Sequence, residues 1–154
     1  MGCRLQPDQI ASSMSFLPTV HPLTEVACRW CTALEKCCRA LDYDGARLLF
    51  AEEVCSFGTY ATFVKGREAL EREQWRNIWP VTRDFAFRLE EMHCVGNEQG
   101  LLIIVTWEGL GINQDGTTFP RGGRCTLFLV PRKGGWVGVH THFSLVPRGE
   151  QSTP

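Results

Sequence analysis

The chain has 154 residues, of which 44% are hydrophobic and 21% are charged, and its formal net charge is −1. This composition is typical of one globular domain, and the length suffices to bury a core without disulfides or metals. Because 16 Lys and Arg residues are balanced by 17 Asp and Glu residues, there is no basic excess for phosphate binding, and no nucleic-acid partner is expected. No apolar run approaches the ~18 residues of a membrane span and the N-terminus lacks a signal-peptide pattern, so we expect no membrane association and a cytoplasmic location.

Three regions are predicted along the chain. Residues 1–22 combine three prolines with a serine cluster and show no periodicity, which predicts a flexible lead-in. Residues 23–147 have regular hydrophobic periodicity and are expected to form a single α+β domain. Residues 148–154 follow the last periodic segment and are predicted to be a flexible tail.

The first half of the domain is predicted to be mainly helical. Thr24 is the expected N-cap of a first helix, because apolar residues follow it at three- and four-residue spacing. These residues are Val26, Ala27, Trp30, Cys31, Leu34, Cys38 and Leu41. A short second helix is expected to start at Asp42 or Asp44 and to end near Glu53. A third helix is predicted over residues 67–79, mostly solvent-facing and stopped by the proline that follows.

Strands are predicted before the third helix and throughout the second half. Residues 54–60 have the β-branched and aromatic content of a short strand. After the third helix the hydrophobic period changes from near 3.6 to 2, which indicates antiparallel strands. The pattern fits a meander of four strands, over residues 82–95, 101–110, 124–130 and 135–145. The second of these is apolar on both sides and is therefore expected at the centre of the sheet.

Most of the eight cysteines are interpreted as small buried hydrophobes, since a chain of this length without a secretion signal does not need a disulfide framework. Cys28 and Cys31 form a single C-x-x-C pair, whereas a zinc site needs a second pair at a defined spacing. The sequence also lacks the G-x-x-x-x-G-K-[ST], G-x-G-x-x-G, G-x-S-x-G and H-E-x-x-H patterns of nucleotide, dinucleotide, hydrolase and metallopeptidase sites. No cofactor and no bound metal are predicted.

The last predicted strand projects His140, His142 and Ser144 to one face, because side chains alternate along a strand. An H-x-H pair in this position fits three roles: hydrogen bonds to neighbouring strands or a subunit contact, ligand contact, and metal binding. If Val139 and Phe143 pack on the first helix, the two histidines lie on the outer face of the sheet, where a dimer partner would cover them. The opposite register would place both histidines in a pocket.

The order of these elements is informative in itself. Helix, short helix, short strand, a helix start at Gly66-Arg67-Glu68 and a four-stranded meander that closes on G-G-W-x-x-x-H-x-H-x-S follow one another over residues 24–146. In this order the chain resembles the nuclear-transport-factor-2-like superfamily, and most nearly its SnoaL-like and ketosteroid-isomerase-homologue proteins. The final strand is also similar to the end of the association domain of calcium/calmodulin-dependent kinases.

The resemblance implies an α+β fold in which a curved antiparallel sheet, four long strands and a short one, wraps around three N-terminal helices to form a cone. It also implies an apolar pocket inside the cone and a homodimer assembled through the sheet. Members of the superfamily include isomerases, cyclases and dehydratases, so the fold alone does not select a reaction.

An acid–base enzyme of this kind would need a carboxylate or an imidazole held in the apolar pocket, together with a donor for a developing enolate oxygen. Within the implied cone, Glu91 follows Phe87 and Leu89 in parity and is the expected inward-facing acid. Tyr60 is the candidate donor, and His140 is a further catalytic candidate.

The ligand-binding candidates are aromatic walls and two polar groups. Arg124, at the start of a strand, is expected to clamp a ligand carboxylate bidentately, the use that the kinase association domains make of pocket arginines. His142 joins it if the last strand turns its histidines inward. The aromatic candidates are Trp30, Trp75, Trp79, Phe87 and Trp107. The expected partner is a small apolar or aromatic ligand, with or without a carboxylate.

Three functions follow, in order of preference. The first is a small-molecule-binding protein that uses the pocket, with or without acid–base catalysis of the isomerase, cyclase or dehydratase kind. The second is a non-catalytic homodimerisation or interaction module, favoured by the apolar residues on both faces of the strand over residues 101–110. The third is a metal-dependent enzyme that uses the His-x-His strand.

Overall fold

The computed structural model describes residues 13–147, in which helices pack on one eight-stranded sheet. The first strand, β1 (Ser15–Phe16), pairs antiparallel with a later strand, and Ser15 lies opposite Gly96. Regular structure therefore begins ahead of the first predicted helix. Residues 1–12 of the predicted lead-in and the whole predicted tail lie outside the described residues.

Helix α1 (Pro22–Ala40) is the predicted first helix with a different cap. Its N-cap is His21, whose Nδ1 accepts a hydrogen bond from the Leu23 amide at 3.0 Å. The prediction of Thr24 as the cap is wrong, because the proline at the first helical position is pre-organised for a helix and starts it earlier. The buried face follows the predicted spacing and consists of Thr24, Ala27, Trp30, Cys31, Leu34, Cys37 and Cys38.

Helix α2 (Tyr43–Arg47) is capped by Asp42, one of the two candidate caps, but it is shorter than expected. Phe50 already opens strand β2 (Phe50–Phe57), and its ring lies 5.2 Å from each of two tryptophan rings. Burial of this ring outweighs the weak helix propensity of a segment that contains a glycine. Strand β3 (Val64–Lys65) then pairs antiparallel with β2.

The predicted third helix forms, but its winding changes along its length. The successive elements are α3 (Arg67–Leu70), a π-helical segment (Glu71–Trp75), α4 (Arg76–Ile78) and a 3₁₀ turn (Trp79–Val81). The prediction that this helix is mostly solvent-facing is wrong, since Leu70, Glu71, Gln74, Trp75 and Trp79 are buried. A π turn makes i→i+5 hydrogen bonds, is wider than an α turn and often occurs at functional sites. Here it places the neighbours Gln74 and Trp75 both in the interior.

The predicted strand over residues 82–95 is interrupted in the structure. Strands β4 (Thr82–Phe87) and β5 (His93–Asn97) lie on either side of a 3₁₀ turn (Leu89–Glu91). In β4, Asp84 has a φ of 55° and the register shifts next to it. The bulge and the turn both break the strand alternation on which the inward orientation of Glu91 was predicted.

The three long strands of the meander follow. They are β6 (Gly100–Ile112), β7 (Thr118–Arg132) and β8 (Gly135–Leu145). Strand β8 has the predicted boundaries, whereas β6 and β7 are longer because they continue to a tight turn at residues 113–117. The predicted central position of β6 is confirmed, since it pairs with β4, β5 and β7.

The strand order is β1-β5-β6-β7-β8-β2-β3, with β4 paired to β6 beside this path. All pairs are antiparallel except β2 with β8, which is parallel. The sheet is curved and unclosed, and the helices precede most of it in the chain. The predicted α+β class with a curved antiparallel sheet is therefore confirmed.

The inner face of the sheet and the helices share one hydrophobic core. Odd-numbered residues of β6 and β7 supply about half of the sheet's part of it, namely Leu101, Ile103, Val105, Trp107, Cys125, Leu127 and Leu129. Even-numbered neighbours such as Leu102, Ile104 and Phe128 lie on the outer face and are half-buried or exposed.

A β-bulge in β8 determines which way its histidines point. The register against β7 shifts between Gly138 and His140. On one side of the bulge, Gly138 lies so close to α1 that a Cβ there would be 3.0 Å from the Trp30 ring. On the other side, Thr141 is buried. His140 and His142 therefore lie on the outer face, which is one of the two registers left open by the sequence.

Candidate functional site

A cavity of about 70 Å³ lies between the sheet, α1 and the π-helical segment. Its wall is mainly aromatic and includes Phe50, Tyr60, Trp75, Trp79, Phe85, Trp107 and Phe143. The polar residues of the wall are Thr59, Gln74, Thr82, Arg121 and Thr141. Tyr60, which is 70% exposed, belongs to a loop after β2. We call this loop, residues 58–63, the mouth segment.

Five of the aromatic residues in the wall form two clusters. Trp75 and Trp79 stack with their ring centroids 5.0 Å apart and their planes at 17°. The rings of Phe85, Trp107 and Phe143 form the second cluster, with centroids 5.8 to 6.3 Å apart. Such surfaces bind flat or apolar ligands by contact area and leave orientation to a few polar groups.

A chain of hydrogen bonds orients the amide of Gln74. The Ser56 hydroxyl donates to Gln74 Oε1 at 3.4 Å, and Ser56 Oγ lies 2.5 Å from Thr141 Oγ1. Because the Ser56 proton is directed to Gln74, Thr141 is the donor in the shorter bond. These hydrogen bonds run from Thr141 through Ser56 to the carbonyl oxygen of the Gln74 amide. They therefore use the acceptor of Gln74, while its NH₂ group takes no part in them.

That NH₂ group, Gln74 Nε2, is buried and has no hydrogen-bond partner among the described residues. Gly58 lies against the amide, and a Cβ at this position would be 2.6 Å from Gln74 Nε2. The missing side chain of Gly58 thus leaves the space in which the amide lies. The indole Nε1 of Trp107, also in the wall, is a second buried donor without a partner in residues 13–147.

Arg121 is the one cationic side chain among the residues of the described wall. It donates from Nη2 to Thr59 Oγ1 at 2.6 Å and from Nη1 to Thr82 Oγ1 at 3.4 Å. Its guanidinium lies over the Trp107 ring, 5.6 Å from the centroid. Burial lowers the pKa of Arg121, since desolvation disfavours the charged form, but a guanidinium stays protonated in proteins.

Four of the predicted site residues line this cavity. They are Tyr60, Trp75, Trp79 and Trp107. Trp30 and Phe87 are instead buried in the core. The Trp30 indole donates to Leu49 O at 3.1 Å, and the Phe87 ring packs 5.0 Å from that of Phe85.

The structure does not bring the other predicted residues into the cavity. Glu91 is exposed in the 3₁₀ turn, where it pairs with Arg88 at 3.4 Å. Arg124 is exposed and donates to Ser144 Oγ at 3.2 Å. On the outer face, His140 Nδ1 lies 3.0 Å from Cys55 O, and the exposed His142 packs with its ring 5.1 Å from Phe57.

Arg121 and Gln74 are among the polar wall residues that the sequence analysis missed. Arg121 lies in the Gly- and Pro-rich stretch between the predicted strands over residues 101–110 and 124–130, which was interpreted as a connector. The inner face of β7 consists of odd-numbered residues, and this alternation, followed back from Leu129, reaches Arg121. The signal was therefore present in the alternation. Gln74 had no comparable signal, because nothing in the sequence announces a π turn.

The buried cysteines behave as the predicted small hydrophobes. Those that are buried are Cys31, Cys37, Cys38, Cys94 and Cys125. Cys38 lies in the cavity wall, where burial raises the pKa of its thiol to about 12. The thiol is thus protonated at neutral pH and is a poor nucleophile. Cys3 lies outside the described residues.

Two further features concern residues 13–147 as a whole. No three His, Cys, Asp or Glu side chains in this range come together as a group that could hold a metal ion. Within the same range, none of the helices has the length and apolar character needed to cross a membrane. The cytoplasmic location stays a prediction from the sequence.

Solved structures with the same architecture are those of proteins with an NTF2-like fold. An NTF2-like superfamily protein from Salmonella enterica serovar Typhimurium matches with a TM-score of 0.70 and 15% identity, over 83% of this chain and 96% of that one. A candidate aromatic ring hydroxylase from Novosphingobium aromaticivorans gives 0.69 and 17%, over 82% and 92%. A candidate calcium/calmodulin-dependent kinase II association domain from Xanthomonas campestris gives 0.69 and 15%, over 90% and 97%. At these identities the likeness establishes the fold.

The sequence itself gives the family. The profile of the SnoaL-like domain matches residues 25–149, and the chain belongs to this family. The resemblance to SnoaL-like proteins drawn from the order of elements is thereby confirmed. No curated protein matches the sequence significantly.

Proposed function

We propose that the chain is a small-molecule-binding protein that holds its ligand in the cavity inside the curved sheet. The observation that supports this proposal is the pair of buried donors, Gln74 Nε2 and Trp107 Nε1, which lack partners within the described residues and belong to a largely aromatic wall. An unsatisfied buried donor costs about 1–3 kcal/mol. Both nitrogens expose almost no surface in the present cavity, so a ligand acceptor would reach them, and offset that cost, only as the wall rearranges.

The size of the cavity limits what it holds without rearrangement. Its volume of about 70 Å³ is below the ~150 Å³ of an engineered cavity that binds benzene. A ligand with a six-membered ring therefore requires the mouth segment to move outward. Arg121 holds this segment through its hydrogen bond to Thr59 at 2.6 Å, and within the segment the Gly58 amide donates to Ala61 O at 3.0 Å.

The proposal is confined to binding. Acid–base catalysis of the isomerase, cyclase or dehydratase kind needs a carboxylate or an imidazole within reach of the ligand. The wall residues within residues 13–147 include neither. The predicted acid Glu91 and the further catalytic candidate His140 both lie elsewhere.

Titration with benzamide tests ligand binding, because three tryptophans line the cavity and report occupancy through their fluorescence. We expect a saturable change in wild-type protein. Ile78→Phe, in the wall, should weaken binding about tenfold or more, because the added ring fills space that the probe needs.

The matched control is the same exchange on the outer face, Ile104→Phe, which should bind benzamide as wild type does. Equal binding by the Ile78→Phe variant would place the probe elsewhere. The absence of any saturable change in wild-type protein with benzamide, with benzoate and with the smaller isobutyramide and isobutyrate would contradict the proposal.

We propose, as a second function, assembly into a homodimer through the outer face of the sheet. Three hydrophobic side chains support it, since Ile104, Phe57 and Phe63 on this surface are 38%, 40% and 53% exposed. The Phe57 ring packs 5.9 Å from Phe63 and 5.1 Å from His142, which makes a contiguous aromatic patch. Exposed apolar patches of this kind mark association surfaces.

Light scattering at micromolar concentration tests the dimer. We expect a dimer mass for wild-type protein and a monomer mass for Ile104→Lys. Leu48→Lys, at a residue that is 79% exposed in the turn before β2, is the control and should remain dimeric. A wild-type monomer at this concentration would contradict the second function while leaving ligand binding in place.

A further inference from the structure

We propose that the ligand is a small organic anion, a carboxylate, and that Arg121 binds its carboxylate group. The proposal rests on the proposed ligand-binding function and adds the chemical class of the ligand. It also moves the anion-binding role from Arg124, which the sequence suggested, to a residue three positions earlier on the other face of β7.

The first observation in support is that the half-buried charge of Arg121 has no carboxylate partner among the described residues. Other partly buried arginines of the described chain pair with carboxylates: Arg47 with Glu71, and Arg67 with Glu52 at 3.6 Å. Arginines without a carboxylate partner in this range, such as Arg83 and Arg124, are exposed. Arg121 is half-buried and pairs with no carboxylate among residues 13–147. Because burial of an unpaired charge is costly, an anion at this position would stabilise the protein.

The geometry of the guanidinium is the second argument. Its partners are two hydroxyl oxygens, Thr59 Oγ1 and Thr82 Oγ1, which occupy one N–H group on each terminal nitrogen. A guanidinium carries five N–H groups, so three remain for a ligand. Contact with the face of Trp107 restrains the plane of the group. A restrained planar fork of donors is the arrangement that recognises a carboxylate bidentately.

The remaining polar groups of the wall are the third argument, because they offer donors and few acceptors. Gln74 Nε2 and Trp107 Nε1 are unpartnered donors. The acceptor of the same amide is already taken by Ser56, which in turn receives the Thr141 proton. A carboxylate brings acceptors alone and suits such a wall. A primary amide of the same shape brings two extra N–H groups that would be left without acceptors.

Two pairs of isosteric probes test the proposal at constant ionic strength: isobutyrate against isobutyramide, and benzoate against benzamide. Both pairs exceed the present cavity, and the larger pair requires the mouth segment to move further than the smaller pair does. We expect each acid to bind wild-type protein about ten- to one-hundredfold more tightly than its amide, as charge-assisted hydrogen bonds exceed neutral ones. Tryptophan fluorescence and calorimetry give the dissociation constants.

Two variants show which arginine causes the preference for the acid over the amide. Arg121→Gln should reduce the affinity for each acid to that for its amide and leave the amide affinity unchanged. Arg124→Gln removes the same charge from the same strand on the outer face, and should preserve the preference for the acid. If Arg121→Gln does not fold, a rise in the wild-type melting temperature with acid concentration, larger than with amide, tests the same preference.

The outcomes separate the two proposals. Equal affinities for acid and amide, or a preference that survives in Arg121→Gln, would overturn the anion assignment while ligand binding stands. Failure of every probe to bind wild-type protein would overturn the ligand-binding function and the anion assignment together. Loss of the acid preference in Arg124→Gln instead would return the role to the outer face.

Discussion

The inner and outer faces of the sheet are built from alternate residues of the same strands, yet they have different chemistry. On the inner face, Arg121 and Thr141 face an aromatic cavity, where Arg121 donates to Thr59 of the wall and Thr141 hydrogen-bonds to the buried Ser56. On the outer face, Arg124 and His142 lie in contact with solvent beside apolar neighbours. One position along a strand thus separates a group that could bind a ligand from one that could contact a partner. Residue type alone therefore does not identify a site in this fold, since each face has an arginine.

The largest difference in the cost of a substitution to stability is expected between Ile103 and Ile104. These residues are adjacent in β6 and are 0% and 38% exposed. Ile103→Ala should lower the free energy of unfolding by about 2–5 kcal/mol, because it leaves a cavity in the core. Ile104→Ala should cost less than about 1 kcal/mol for monomeric protein. Urea denaturation measures both, and similar losses for the two variants would contradict the assignment of faces.

A buried carboxylate and an exposed one are expected to differ in how much they contribute to stability and in how that contribution depends on pH. Glu71, 5% exposed in the π-helical segment, receives hydrogen bonds from Arg47 and Arg76. Burial tends to raise the pKa of Glu71, but the two arginines outweigh it and hold this pKa below its ordinary value of 4.5. The stabilisation is therefore present above about pH 4.5 and is lost as the pH falls through the lowered pKa. Glu71→Gln should cost about 2 kcal/mol at neutral pH.

Unfolding measured from pH 7 to pH 3 tests this expectation. Wild-type protein should lose its advantage over Glu71→Gln as the solution becomes acidic, so the two stabilities converge. Glu25→Gln is the control, because Glu25 pairs with Arg29 on the exposed surface of α1 and contributes little. A constant difference between wild type and Glu71→Gln across the range would show that the ionised carboxylate is not the source of the stability.

The smallest difference is expected at Thr141 and His142, adjacent in β8. Thr141→Val keeps the shape of a buried residue but removes the proton donated to Ser56, and should cost about 1 kcal/mol. His142→Gln changes an exposed side chain and should stay within about 0.5 kcal/mol. Thermal or urea unfolding of the two variants gives the comparison. A larger loss for His142→Gln in dilute, monomeric protein would indicate that β8 has the opposite register.

Much of the fold could be predicted because its signals are local and periodic. The boundaries of β8, the Asp42 cap and the apolar face of α1 follow from turn residues and alternation. The bulge at Asp84 within β4 could not be predicted, because the positive φ of Asp84 depends on how β4 pairs with β6. Local sequence gives no sign of that pairing.

Less of the cavity could be predicted, and for two distinct reasons. Three of the tryptophans in the wall, Trp75, Trp79 and Trp107, were recognised because large aromatics generally lie inside. Glu91 was misplaced because period-2 alternation was carried across a 3₁₀ turn, which ends it. Arg121 was overlooked because glycine and proline beside it suggested a connector, although β7 begins at Thr118.

The π-helical segment makes the orientation of Gln74 depend on the number of residues in the helix. A π turn accommodates one more residue than an α turn at the same place in a helix. Between Gly66 and Pro80, the number of residues therefore decides which side chain is presented to the cavity, independently of what those side chains are. Shortening the segment by one residue would turn the helix surface by about a quarter of a revolution, ~100°, and carry Gln74 away from the wall. The recognition chemistry of this protein thus depends on a spacing that substitutions alone would not reveal.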